Sequence, residues 1–220
     1  MDPADPNAEL LRRVREGDQQ ALAELFSLHR QRLWQIIYFR LDARLRGRVD
    51  ADDIVQEAYL AAAQRIEHYL DNSTHTFFIW LRLIANQTLI DIHRRHLGAQ
   101  MRDASRDMSI HAHYAQATSM SIASQLLGNF TSPSQIAMRG EISVQLDEAI
   151  ESMEPIDREV LALRHFEELT NSEVAEVLGI QQKAASIRYR RALKRLKEVL
   201  GKLPQFGVES SEDGKESDSK

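Results

Sequence analysis

The sequence predicts an all-α fold of two small helical domains joined by a flexible linker, and three observations carry this reading. Apolar residues recur at three- and four-residue spacing along most of the chain, with no convincing strand or repeat. Aromatic residues make up only 6% of the 220 residues and Gly and Pro number 9 and 5, which favours helices over sheets. The periodicity lapses in the interior between about 101 and 133, where Ser, Ala and Gln take over, as in a linker.

The first domain is expected over residues 1–100. Periodic segments cover 8–16, 19–42, 52–69 and 76–96, with breaks at Gly17, Gly47 and the polar run "DNSTH". The linker, 101–133, has room for one short helix. Regular periodicity resumes at 134 and runs to 203, the second domain. The remainder, 204–220, holds five acids against two lysines with little apolar content, so a disordered acidic tail is expected there.

Several classes of protein are set aside by what is missing. The chain has no cysteine, which removes disulfides and thiolate metal sites and fits a reducing, cytoplasmic setting. "MDPADPNAEL" has no basic start followed by an apolar run, so no secretory signal is expected. The most apolar stretch, "FFIWLRLIANQTLI", is interrupted by Arg82, Asn86 and Gln87, well short of the ~20 apolar residues a membrane span needs. No nucleophile constellation, glycine-rich phosphate loop or metal box appears, so neither catalytic residues nor a cofactor nor a metal site is expected. His93 with His96 and His111 with His113 lack a neighbouring carboxylate cluster and read as surface or phosphate-facing groups. The acidic pairs Asp52–Asp53 and Glu167–Glu168 read as helix caps and solvated faces.

A net charge of -5 conceals a division that bears on partners. Residues 181–203 hold eight cations against Glu198 alone, whereas 141–180 hold eleven anions against Arg158 and Arg164. An overall acidic chain can still bind nucleic acid where its cations are concentrated. Thr170 followed by Glu173 is a capping box, so a short helix starts there and runs through "EVAEVL". Gly179 supplies a positive-φ turn, and Gln181 or Gln182 opens a second helix. The result is a helix-turn-helix. In its second helix Ala185, Tyr189, Ala192, Leu196 and Val199 form the core face, and Lys183, Ile187, Arg190, Lys194 and Lys197 project opposite, with Ser186 and Arg191 beside them. A cationic face at this place is how a recognition helix meets a major groove.

In the first domain, "VDADDIVQEAYLAAAQRI" turns Ile54, Val55, Ala58, Ala61 and Ala62 inward and Asp53, Gln56, Glu57 and Gln64 outward. "THTFFIWLRLIANQTLIDIHRRH" then combines aromatics with polar and basic residues. With the helix-turn-helix, these segments resemble the bacterial sigma-70 class of RNA polymerase sigma factors, specifically the small extracytoplasmic-function (ECF) type with only the second and fourth conserved regions. The motifs that carry the resemblance are "DDIVQEAYL", then Trp80-Leu81, Ala85-Asn86 and Asp91 with Arg94, then "DREVLALRHFEELTNSEVAEVLGI" and "RALKRLK".

The resemblance implies a transcription initiation factor that brings core RNA polymerase to promoter DNA. Sigma region 2 would fill 1–100 and sigma region 4 would fill 134–203. Asp52, Asp53, Gln56 and Glu57 would bind the clamp coiled coil of the polymerase. Asn72, Ser73, Thr74 and His75, with Trp80, Arg82, Asn86, His93 and Arg94, would open and read the minus-ten element. Gln182, Lys183, Ser186, Ile187, Arg190, Arg191 and Lys194 would read the minus-thirty-five element, and region 4 would touch the polymerase flap. An anti-sigma factor is a further candidate partner. Lys183-Ala184-Ala185 departs from the Gly-Thr-Val that commonly starts the family's recognition helix. The alternative is a two-domain helix-turn-helix regulator that binds duplex DNA without acting as a sigma factor.

Overall fold

The computed structural model describes residues 6–42, 44–72, 74–101, 118–119, 121–123, 126 and 133–203, the side-chain surroundings of 97–101 and 133–141 excepted. Ser73, His111, His113, most of the expected linker and the tail lie outside the described residues.

Helices α1 (Pro6–Arg15), α2 (Gln19–Arg40), α3 (Ala51–Asn72) and α4 (Phe77–Met101) form the first unit. Local chemistry sets their ends. Gly17 takes a φ of 89°, and the Asp18 carboxylate accepts from the Gln20 and Ala21 N–H groups to cap α2. Asp50 accepts from Asp52 N–H at 3.0 Å at the start of α3. The apolar stripes of α2, α3 and α4 then face one another. Leu25, Leu33, Ile36, Ile54, Ala58, Ala62, Ile79 and Ala85 are all buried, each larger apolar side chain contributing about 1.5–3 kcal/mol.

The second unit comprises α5 (Pro133–Glu151), α6 (Pro155–Leu161), a π-helical turn (Ala162–Phe166), α7 (Asn171–Leu178) and α8 (Gln182–Leu200). Pro155 opens α6 at the position that needs no N–H. Arg158 donates to the carbonyls of Glu151 at 2.6 Å and Ile150 at 3.4 Å, closing the end of α5, and burial lowers its pKa against the pull of Glu151. The capping box at Thr170 is formed in both directions, and Gly179 ends α7 in the left-handed region at φ 63°. A Cβ at Gly179 would meet nothing within 4 Å, so the position needs backbone freedom and not space. Gly179→Ala is therefore expected to lower stability by about 1–2 kcal/mol, with Gly179→Asn losing less, as measured by denaturant unfolding.

The two units do not keep separate interiors. Leu163, Leu169, Val174, Ala175 and Ala185 belong to the same buried cluster as the core of α2–α4. A second cluster joins Phe39 of α2 to Ile122, Ala123, Leu146, Ile150 and Ala162, and Phe39 stacks on Phe166 at 4.9 Å between ring centres. Within the 101–133 segment Thr118, Ser119, Ser121, Ile122 and Ala123 are helical and buried, and Ile122 and Ala123 pack in the cluster of Phe39. The second unit encloses only a small cluster of its own, Met153, Leu161, Ala192 and Val199, and the first unit supplies the wall for the rest of its apolar surface.

Candidate functional site

The outward face of α3 is as its periodicity requires. Asp52, Asp53, Gln56 and Glu57 are all exposed, while Ile54, Val55 and Ala58 between them are buried. Asp52 pairs with Arg30 and accepts from Trp34 Nε1 at 3.2 Å; Glu57 pairs with Arg95 at 2.8 Å. A groove of about 360 Å³ runs between α2 and α3, lined by Phe26, Arg30, Asp52, Asp53, Gln56 and Tyr59. Exposed Leu28 and Leu60 lie on the same two helices. The groove has an apolar floor at Phe26 and Tyr59 and an acidic rim at Asp52 and Asp53.

The outward face of α8 is cationic. Gln182, Lys183, Arg190, Arg191 and Lys194 are exposed, Ser186 and Ile187 are half-buried, and Ala185, Ala192 and Val199 are buried on the opposite side. Farther along, Arg188, Arg191, Lys194 and Arg195, with Glu198 of the same helix, border a groove of about 330 Å³ that Glu154 and Asp157 also line. Lys194 approaches Glu198 at 3.8 Å, an exposed pair that offsets little of its charge.

The connection from α3 to α4 and the face of α4 behave differently. Asn72 and Thr74 are exposed, and His75 and Trp80 are half-buried. Trp80 packs on Tyr69 at 4.6 Å and Phe77 at 5.5 Å between ring centres, so much of its ring is part of the bundle. Asn86 and His93 are half-buried, and His93 Nε2 accepts from Asp42 N–H at 3.4 Å. Arg94 is exposed near Asp91 at 3.7 Å. Arg82, expected to meet DNA, is 3% exposed and donates to Glu167 at 2.6 and 3.1 Å.

Glu167 corrects the reading of the Glu167–Glu168 pair as caps and solvated faces. Its side chain is fully buried between Arg40 and Arg82, and both arginines also approach Glu159 on α6, Arg40 at 2.6 Å and Arg82 at 3.7 Å. Arg40 also donates to the Thr118 hydroxyl at 3.2 Å. The π turn redirects the chain so that Glu167 points inward, and Glu168 takes a left-handed φ of 55° to send the backbone on to α7. Burial raises the Glu167 pKa, but the charges and hydrogen bonds of Arg40 and Arg82 outweigh it and hold the carboxyl below its ordinary value. The sequence marks these residues only as ordinary charges on helices.

Among the described residues no group of three or more His, Asp or Glu side chains is placed to hold a metal ion, and no helix is long and apolar enough to cross a membrane.

The family model for ECF sigma factors matches residues 6–200, and the chain belongs to that family. It is therefore a transcription initiation factor, a protein that binds RNA polymerase and directs it to promoters, and the family is not one of catalysts. The chain is 26% identical over 194 residues to the ECF RNA polymerase sigma factor SigW of Bacillus subtilis (strain 168), covering 88% of this chain and 96% of that one. It is 27% identical over 200 residues to the RNA polymerase sigma-H factor of Pseudomonas aeruginosa, with 90% and 96% covered. Among solved structures, CnrH in complex with the cytosolic domain of CnrY aligns over 90% of this chain and 99% of that one at 21% identity and a TM-score of 0.50, a likeness of fold.

Proposed function

We propose that residues 1–100 act as sigma region 2 and 134–203 as sigma region 4, so that the chain reads a promoter at two places. The exposed acidic face of α3, with the groove beside it, takes the polymerase clamp coiled coil. The connection at 72–75, with Trp80, Asn86, His93 and Arg94, takes the minus-ten element, and Arg82, buried against Glu167, is left out of it. The start of α8 reads the minus-thirty-five element, with region 4 touching the flap. Partner and template place the chain in the cytoplasm. An anti-sigma factor is a further partner by analogy with CnrH, whose structure holds the cytosolic domain of CnrY.

The observation that carries this reading is the exposure of Lys183, Arg190, Arg191 and Lys194 on the second helix of a helix-turn-helix whose other face is core. Lys183 and Arg190, with Ser186, lie toward the helix start, where side chains reach base edges. A good bidentate contact from an arginine there contributes about 1–3 kcal/mol of discrimination. Arg191 and Lys194 lie farther along, where phosphates are the partners. Run-off transcription with purified core polymerase tests the whole reading, and transcription that starts no more selectively with the chain than without it would refute it. Promoter binding by holoenzyme over a salt series then separates the cations. Arg190→Ala is expected to change which minus-thirty-five sequences are preferred, whereas Lys194→Ala weakens all alike and reduces the salt dependence by about one phosphate contact. Uniform losses with the same salt slope in both variants would sink the division.

A further inference from the structure

A pocket of about 440 Å³ lies where the end of α2, the turn that follows it and the start of α3 meet. Trp34 and Tyr38 give it an aromatic wall, Arg46 and Arg48 line it with cations, and Asp50 and Asp53 line it with anions. The aromatic wall is layered. Trp34 and Tyr38 stack at 5.0 Å between ring centres with 8° between their planes, and the Arg46 guanidinium lies 4.9 Å from the centre of the Tyr38 ring. Tyr38 is nevertheless 42% exposed. The hydrogen bonds that hold Arg46 there are long ones, to the carbonyls of Leu41 at 3.4 Å and Tyr38 at 3.5 Å, so its side chain can swing aside at little cost.

The charges around the pocket are of both signs, yet they do not neutralise one another. Among the described residues no ion pair joins Arg46 or Arg48 to Asp50 or Asp53, and the Arg48 and Asp53 side chains have no hydrogen-bond partner. Neighbouring charges outside the pocket are paired, Arg44 with Asp42 at 2.7 Å and Arg30 with Asp52. Asp50 uses one carboxylate oxygen to accept from the Asp52 N–H.

An occupant must therefore bring a planar group for the stack, an anion for the arginines and hydrogen-bond donors for the carboxylates. A phosphate ion would meet Arg46 and Arg48 but be repelled by the two aspartates. An arginine from a protein would stack and donate to a carboxylate but meet two like charges. A guanine nucleotide satisfies all three demands. Its base stacks on aromatic faces, its N1–H and N2 amino group lie side by side as two donors for a carboxylate, and its phosphate accepts from arginine. Adenine turns an acceptor, N1, to the same place, so the carboxylates select against it. The pocket volume falls within the usual range for small-molecule sites.

We propose that this pocket binds a guanine nucleotide, with the base on the Trp34–Tyr38 stack, its paired donors on Asp53 and Asp50, and its phosphate on Arg46 and Arg48. The site is separate from the promoter-reading groups. Asp53 also borders the groove between α2 and α3, so a nucleotide held here sits at the edge of the surface assigned to polymerase.

The full chain supplies its own probe, because it has two tryptophans and Trp80→Phe leaves Trp34 as the only one. GDP is expected to quench Trp34 emission saturably and to bind at least about tenfold more tightly than ADP, since a charged acceptor left without its donors weakens binding by that order. Asp50→Asn with Asp53→Asn should abolish the preference for GDP over ADP. Arg46→Ala with Arg48→Ala should make GDP bind no more tightly than guanosine. Melting curves confirm that each variant is folded. Oligothymidine carrying one guanine, compared with the same strand carrying one adenine, decides the source of the nucleotide. Tighter binding of the guanine strand than of GDP, lost in the same variants, assigns the site to single-stranded nucleic acid; GDP binding without strand binding assigns it to the free nucleotide. Equal affinity for GDP and ADP, an undiminished preference in the double asparagine variant, or no binding of GDP or of the guanine strand overturns the proposal.

Discussion

Glu167→Ala is expected to cost about 3–5 kcal/mol, because it leaves Arg40 and Arg82 buried without their shared counter-charge. Both guanidinium groups are at most 3% exposed, and Glu159, itself 22% exposed, is then shared between two cations. Separation of the two units allows the arginines to hydrate, so the loss should first appear as detachment of the second unit and then as a lowered unfolding midpoint. Replacing all three charges together, Arg40→Met with Glu167→Leu and Arg82→Met, should recover most of the stability, since a well-packed apolar group avoids the desolvation that the ion cluster incurs. Denaturant unfolding followed by helicity and by inter-unit energy transfer would check both variants. A single variant within 1 kcal/mol of the parent would show that the cluster contributes little.

The same carboxylate sets a pH dependence with a definite sign. The folded pKa of Glu167 lies below its ordinary value of 4.5, so its contribution is fully present above that value and is lost as pH falls through the lower, folded one. Other carboxylates titrate nearby, and the informative quantity is therefore the difference between parent and Glu167→Gln. That difference should be constant near neutrality and shrink in acid below 4.5. A difference that grows on acidification would contradict the assignment.

Asp53→Arg combined with Glu57→Arg is expected to abolish assembly with core polymerase while the fold persists. Both side chains are exposed on a helix whose opposite face is buried. Asp53 sits in the first turn of α3, where reversing its charge costs about 0.3–1 kcal/mol against the helix dipole. Glu57 contributes an exposed pair with Arg95, typically ~0–1 kcal/mol. Against these small losses, like charges brought together across an interface cost several kcal/mol. Co-elution with core polymerase and thermal melts of the free variant read the two effects separately. Retained co-elution would move the polymerase surface elsewhere, and a collapsed melt would show that the face has a structural role.

What the sequence determined by itself was the part of the molecule governed by neighbours a few residues apart. The capping box at Thr170 and Glu173, the left-handed Gly179, the buried Ala185, Ala192 and Val199 of α8, and the outward Asp53, Gln56 and Glu57 of α3 all follow from one-turn or two-turn spacing. The breaks at Gly17, Gly47 and the polar run at 71–75 were legible for the same reason. The continuous periodicity from 134 to 203 concealed the interruption at 152–154 and the π turn at 162–166, because neither disturbs the spacing of apolar residues enough to be read. Only the tertiary structure decided which charges were surface and which were interior. Glu167 and Glu168 are adjacent and chemically identical, yet one is enclosed and the other solvated. Arg82 and Glu167 are 85 residues apart, and Arg40 lies 119 and 127 residues from its partners Glu159 and Glu167. The protonation and availability of such a group depend on the wall that another segment brings to it, and no local pattern encodes that wall.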